Sequence, residues 1–365
     1  MKIGLLTPHY AYNYGAVLQA LALLVYLQSL GHEVLIINRR PQWLAAVPSF
    51  WGRCARKLQE LTQARNFIRN EIVYLQPQTE PIIASCDVDK IKTYHFDAII
   101  VGSDQVWRDD YIFTTFGYNI FLDFVDATET RKIAYATSFG KDTWQQPEAV
   151  RKKVETLLHD FYAISVREAS GIRICTDLFH VHALHVLDPS LLLNRSDYIR
   201  LYGLNVIKCR QPYLAAYILD CDIDKRQIVH SISSQLGVKT RHILIYQTTN
   251  KVSQFAHRFF PILPPVKEWL ENIINARFVV TNSFHGMVFS LIFRKQFIVY
   301  GNKTRGMERF NSFLNIFGLE DRLLDWHDDF NNQLNRPICY EKIDPIIKDW
   351  QRRSYEFINQ ALNES

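Results

Sequence analysis

Three short stretches of this chain set small, polar and titratable residues side by side directly after apolar runs. The first is Pro8-His9-Tyr10-Ala11-Tyr12-Asn13-Tyr14-Gly15. Gly15 lets the backbone approach a ligand, and the free N–H groups of a helix starting there suit an anion. The alternative is a glycine that only tightens a turn. The stretch lacks G-x-G-x-x-G, which argues against a dinucleotide site. The second is Val101-Gly102-Ser103-Asp104-Gln105-Val106-Trp107. Ser103, Asp104 and Gln105 offer hydrogen bonds, and an exposed Trp107 would offer an aromatic face; together these are the groups that hold sugars. Ser103 or Asp104 can equally cap the helix that follows. The third is Thr281-Asn282-Ser283-Phe284-His285-Gly286. A histidine at a strand-to-helix turn, with little packed around it, can serve as a general acid or base. A lone histidine is more often structural, but Lys303, Arg305 and Arg309 follow downstream. Guanidinium groups grip phosphate and carboxylate bidentately, so this neighbourhood suggests an anionic substrate. The bland alternative is a solvated basic loop.

The elements that must position these stretches are legible as alternating strands and helices. Residues 2–7 form an apolar run broken at Pro8, helical periodicity spans 15–30, Gly31 is a natural terminator, and 33–38 is again a buried-strand run. A strand, helix, strand opening predicts a parallel sheet. Strand runs recur at 96–101, 132–136, 161–166 and 185–187, ending in GSD, TSFG, REAS and DPS. Such turns are where open α/β sheets bind ligands. A second series starts with a strand at 212–219. It continues with a helix at 227–236, a strand at 242–246, a helix at 266–275, a strand at 276–281 and a helix at 287–293. A last helical stripe covers 344–362, opened by Asp344-Pro345.

A length of 365 residues predicts two domains. With 48% hydrophobic and 22% charged residues the chain is expected to be globular. The net charge of +5 carries no long Lys/Arg stripe, which favours a small anion or an anionic membrane surface over nucleic acid. The six cysteines show no C-x-x-C and no spacing for a metal, so they are expected to be free thiols in a reducing compartment and no metal is expected. The apolar run 16–30 is too short to span a bilayer and follows a strand, so no leader or anchor is expected and the location predicted is cytoplasmic. Residues 41–94 read as a helical insertion mixing Trp43, Phe50 and Trp51 with Arg53, Arg56, Lys57, Arg65 and Arg69. That composition suits peripheral contact with the inner membrane surface, or simply a lid.

In combination and order, NYGAVLQA (13–20), VGSDQVW (101–107), SVRE (165–168), LDPSLLL (187–193), TNSFHG (281–286) and RGMERF (305–310) resemble the polysaccharide pyruvyl transferase family over nearly the whole chain. The resemblance implies a glycosyltransferase-B-like α/β fold, two Rossmann-like domains facing across a cleft. The expected N-terminal domain (1–200) takes the acceptor, the C-terminal domain (201–343) takes the donor, and a C-terminal helix (344–365) crosses back to the first. It further implies phosphoenolpyruvate as donor, a glycan or lipid-linked oligosaccharide diol as acceptor, and neither metal nor cofactor. On this pattern His285 and Asp104 are the catalytic candidates. Ser283, Lys303, Arg305 and Arg309 fall on the donor, and Asn13, Tyr14, Gly15, Ser103, Gln105 and Trp107 on the acceptor. Some members carry Arg-Leu-His-Gly where this chain has Ser283-Phe284-His285-Gly286, so either Arg305 or Arg309 supplies the donor's charge partner or the donor is held differently. Two alternatives remain, a nucleotide-sugar glycosyltransferase of the same architecture and a non-catalytic glycan-binding relative.

Overall fold

Short apolar runs separated by helices fold into parallel sheets, because each crossover helix returns the chain to the end of the sheet where the previous strand began. The computed structural model describes residues 1–9, 13–40, 73–83, 85–112, 116–207, 211–244, 263–301 and 306–363. Lys303, Arg305, Tyr10 and Tyr12 lie outside them, as do the aromatic and basic residues of the insertion named above, from Trp43 to Arg69. The chain divides into two units, the first closing its N-terminal part at Leu192 and including residues from Ile347 onward, the second taking Leu193–Ile346.

The first unit holds a six-stranded parallel sheet of order β2-β1-β3-β4-β5-β6. Its strands are β1 (Lys2–Leu6), β2 (Glu33–Ile36), β3 (Ala98–Val101), β4 (Arg131–Thr137), β5 (Ala163–Val166) and β6 (Leu184–His185). Helix α1 (Tyr14–Ser29) follows β1, and α2 (Glu148–His159) precedes β5. The apolar run 16–30 is this α1: it is apolar on nearly every side because most of its length is buried, as expected of a helix covered all round. Leu6, Ile99, Val101, Trp107, Phe121, Phe139, Val166 and Phe179 belong to one buried cluster of this unit.

The second unit holds a five-stranded parallel sheet of order β11-β10-β9-β7-β8. Its strands are β7 (Tyr213–Tyr217), β8 (Lys239–His242), β9 (Phe278–Thr281), β10 (Gln296–Tyr300) and β11 (Leu323–Leu324). Around it lie α3 (Arg195–Tyr202), α4 (Ile223–Gln235), α5 (Val266–Ile274), α6 (Phe284–Ile292) and α7 (Glu308–Phe317). The last helix, α8 (Tyr340–Asn363), begins in this unit.

Several boundaries differ from expectation. Helix α3 belongs to the second unit, where Tyr198 meets the Phe289 ring edge-on at 5.0 Å, so the first unit ends earlier than residue 200. Strand β8 precedes the apolar residues Ile243 and Leu244 that suggested it; as an edge strand it is largely exposed and its residues are polar. Asp344-Pro345 does not open the last helix, which already runs from Tyr340, with Pro345 inside it. Beyond Ile347 that helix seats on the first unit: Ser354 Oγ accepts from Leu187 N at 3.0 Å, Tyr355 OH donates to Leu192 O at 2.9 Å, and Arg131 reaches Leu362 O at 2.9 Å. No helix among the described residues is long and apolar enough to cross a membrane.

Candidate active site

In the first unit the carboxyl ends of β1, β3, β4, β5 and β6 bring their turns together. Gly102 N donates to Leu6 O at 2.8 Å, and a Cβ on Gly102 would stand 2.8 Å from Thr7 Cβ, so only glycine permits this approach of the β3 turn to the β1 turn. Thr7 Oγ1 in turn accepts from Gln19 Nε2 at 2.6 Å, tying the strand end to α1. Asp104 has φ +83°, the left-handed region that aspartate tolerates better than most residues. Its conformation is held by Ser138 N donating to Asp104 O (3.1 Å) and by Gln105 N donating to Asp104 Oδ1 (2.9 Å).

Beneath Asp104 lies a buried ion cluster. Arg167, on the turn after β5, donates from Nη1 to Asp188 Oδ2 at 2.7 Å, pairs with Glu168 Oε1 at 3.3 Å, and brings Nη2 to 3.8 Å from Asp104 Oδ1. Ser103 Oγ donates to Ala136 O (2.7 Å), and Ser138 Oγ donates to Glu168 Oε1 (2.5 Å). Burial works against the Arg167 charge, but Glu168, Asp188 and Asp104 outweigh it and raise its pKa above the usual guanidinium value. Because a buried guanidinium left unpaired is costly, this cluster fixes the four turns against one another. Arg167, Glu168, Ser138 and Asp188 were not singled out from sequence, although each lies in one of the polar turns that end the predicted strands.

Three acceptor candidates stand differently than expected. Trp107 is not exposed: it is fully buried, its indole N–H donates to Ile120 O at 3.2 Å, and its ring lies 5.7 Å from Phe121, so it offers no face to a sugar. An indole after an apolar strand finds its place in the core, where its one donor is satisfied. Tyr14 is buried in the first turn of α1, and Ser103 is buried with its hydroxyl on Ala136 O. Asn13 is exposed and caps α1, its Oδ1 accepting from Gly15 N at 2.9 Å, a role the sequence reading gave only to Ser103 or Asp104 at the second turn. Asp104 and Gln105 remain partly accessible at the sheet edge.

The second unit presents its own strand-end cluster. Phe284, His285 and Gly286 are not loop but the first turn of α6, capped by Ser283, whose Oγ accepts from Gly286 N at 3.4 Å. Thr281 Oγ1 donates to Tyr217 O at 2.8 Å and accepts from Ser283 N at 3.0 Å, pinning the turn to β7. Asn282 accepts from Leu219 N at 2.8 Å and donates to Asp220 Oδ1. His285 is only 6% exposed and meets the Phe284 ring edge-on at 5.3 Å, so it is not the loosely surrounded imidazole that the turn suggested. Arg309 is buried too, with its guanidinium over the same Phe284 ring at 5.6 Å. Phe284 therefore gathers His285 and Arg309, which lie far apart in sequence. Among the donor candidates, the structure places Ser283 as helix cap and Arg309 beside Phe284.

The fold recurs among sugar-handling enzymes at low identity. A glycosyltransferase from Rickettsia africae superposes with a TM-score of 0.57 at 9% identity, covering 100% of this chain and 99% of that one. UDP-GlcNAc 2-epimerase from Neisseria meningitidis, bound to UDP-GlcNAc, gives 0.56 at 9% identity, covering 99% and 100%. These likenesses establish the architecture, two Rossmann-like units of glycosyltransferase-B-like class, and nothing about substrates. No curated protein matches the sequence. The family model for polysaccharide pyruvyl transferase matches residues 13–304, a span that takes in every strand of the two sheets but β1 and β11, with the Asp104 turn and the His285 turn. The chain belongs to the polysaccharide pyruvyl transferase family.

Proposed function

We propose that this protein transfers pyruvate from phosphoenolpyruvate to a sugar diol of a bacterial polysaccharide or its lipid-linked precursor, forming a cyclic ketal and releasing phosphate. Family membership is the observation that carries the reading. It is supported by a buried imidazole, His285, sharing the Phe284 ring with the guanidinium of Arg309. Protonation at C3 of the enol phosphate creates an oxocarbenium-like centre at C2. One sugar hydroxyl adds there, phosphate leaves, and the neighbouring hydroxyl closes the ring. Of the two hydroxyl protons lost, one balances the proton gained at C3 and the other leaves with phosphate. His285 acts as the general acid or acid/base, and Arg309, with Arg305 and Lys303, neutralises phosphate and carboxylate as charge moves. Ser283 shapes the donor turn as cap of α6. Asp104 takes a proton from the attacking hydroxyl, and Asn13 and Gln105 orient the acceptor. Location at the cytoplasmic face, in peripheral contact with an anionic membrane, follows if the acceptor is lipid-linked.

Phosphate release from phosphoenolpyruvate against galactosides, mannosides and glucosaminides tests this, with the ketal mass increment on the acceptor as the positive result. Absence of both for every acceptor sinks it. The second reading is a nucleotide-sugar glycosyltransferase of the same architecture; the epimerase that shares the fold at 9% identity was bound to UDP-GlcNAc. Tight nucleotide-sugar binding without phosphoenolpyruvate binding would select it.

A further inference from the structure

We propose that Arg108 sets the hydrogen-bonding polarity of the Asp104–Gln105 edge, so that Gln105 meets the acceptor glycan as a donor, Asp104 meets it as an acceptor, and the pair selects a sugar hydroxyl able to do both. This rests on the reading that the edge takes the acceptor.

A carboxamide has one acceptor oxygen and two N–H donors, so which end faces outward decides what it recognises. Arg108 Nη1 lies 2.8 Å from Gln105 Oε1. A guanidinium only donates, so the amide oxygen must face it; the flipped amide would set donor against donor. Arg108 has little freedom to move away. It is buried, its Nε and Nη2 lie 3.3 and 3.2 Å from Asp110 Oδ2, and its guanidinium stands over the Tyr111 ring at 5.0 Å. Its backbone N–H also donates to Gln105 O at 3.3 Å, closing the turn.

The opposite wall is Gly140. A Cβ there would stand 2.4 Å from Gln105 Oε1, and the residue has φ +70°, so no side chain fits between the amide and the β4 turn. With its oxygen committed, Gln105 directs Nε2 elsewhere, and that nitrogen has no acceptor among the described residues. Asp104 Oδ1 is already taken by Gln105 N, while Oδ2 has no donor among the described residues. Successive residues thus present a carboxylate acceptor and an amide donor. One hydroxyl can give its proton to the first and accept from the second, as can two neighbouring hydroxyls of a diol.

The decisive variant is Gln105→Glu, which keeps the shape and the Arg108 contact but replaces the outward donor by an acceptor. Its acceptor KM should rise roughly tenfold, as expected for one lost hydrogen bond, with the phosphoenolpyruvate KM unchanged. One monodeoxy acceptor should show the same loss with the wild type and no further loss with the variant. A general structural fault would instead lower activity equally on every monodeoxy acceptor and overturn the proposal, as would an unchanged acceptor KM. Gln105→Met, which has neither donor nor charge, serves as the second variant and should reproduce the loss. If the wild type releases no phosphate with any acceptor, pyruvyl transfer itself falls. NMR titration of methyl galactoside, mannoside and N-acetylglucosaminide then decides the proposal separately: weaker binding by Gln105→Glu upholds it, and equal binding by both proteins overturns it.

Discussion

Gly286 lies so close to Thr281 that a Cβ built on it would stand 2.4 Å from the Thr281 hydroxyl, the same hydroxyl that bonds the Tyr217 carbonyl across the sheet. The first turn of α6, with His285 in it, is therefore set by contact between a helix backbone and a strand side chain. Gly286→Ala forces α6 outward and should cost about 1–3 kcal/mol in chemical denaturation, as overpacking of a tight contact does. Turnover should fall further than stability, because His285 moves with the turn. A variant with normal turnover and lowered stability would separate His285 from the reaction.

His285→Ala should lower turnover by about 10² to 10⁴, the range for a lost general acid or base. Circular dichroism should show the fold intact, and the measurement that checks the role is single-turnover phosphate release. Retention of most of the wild-type rate would remove His285 from the mechanism.

Arg305→Ala and Arg309→Ala should each raise the phosphoenolpyruvate KM, by roughly 1.5–3 kcal/mol in binding for a lost charge-assisted contact, with the acceptor KM unchanged. Arg309 is buried over Phe284, so its loss also leaves a space under α7 and lowers the melting temperature. Donor KM values equal to wild type in both variants would place the anion site elsewhere.

Lys295, just before β10, is pushed down from its ordinary 10.5 to about 8, first by burial and then by the nearby charge of Arg195. Its Nζ donates to Ala276 O at 3.0 Å. Between those two pH values the unfolded chain holds a proton that the folded chain does not, so stability should rise as pH increases from about 8 to about 10.5. The full shift corresponds to at most about 3 kcal/mol, less because the amine is only part-buried. Lys295→Met should lack this contribution. Equal pH slopes for the two proteins in urea titrations would contradict it.

The stretch carrying Trp51 and Arg56 is expected to bind anionic vesicles and to release them as salt is added. Sedimentation of the wild type and a Trp51→Ala, Arg56→Glu double variant with anionic and neutral vesicles checks this. Equal partitioning of both proteins leaves only the lid reading.

What the sequence determined by itself is the alternation of short apolar runs with helical periodicity, and from it two parallel sheets whose strand-end turns carry the polar residues. Those features are local: a run such as Ala98–Val101 is apolar because both faces of its sheet are covered, and the turn after it is polar because a strand end must be hydrated or bound. Helix α1 was legible for the same reason, as a buried run too short for a bilayer. Burial and pairing were not legible, since they depend on which distant residues the sheet order sets side by side. Trp107 reads as a sugar platform until Phe121 and Phe139 close around it. Arg167 has no marked role in the sequence until strand order brings Asp188 and Asp104 to its guanidinium. Arg309 reads as a loop cation until the packing of α7 places it over Phe284. Only the tertiary structure decides whether a polar residue at a strand end holds the fold or faces a substrate, because that choice is made by neighbours far along the chain.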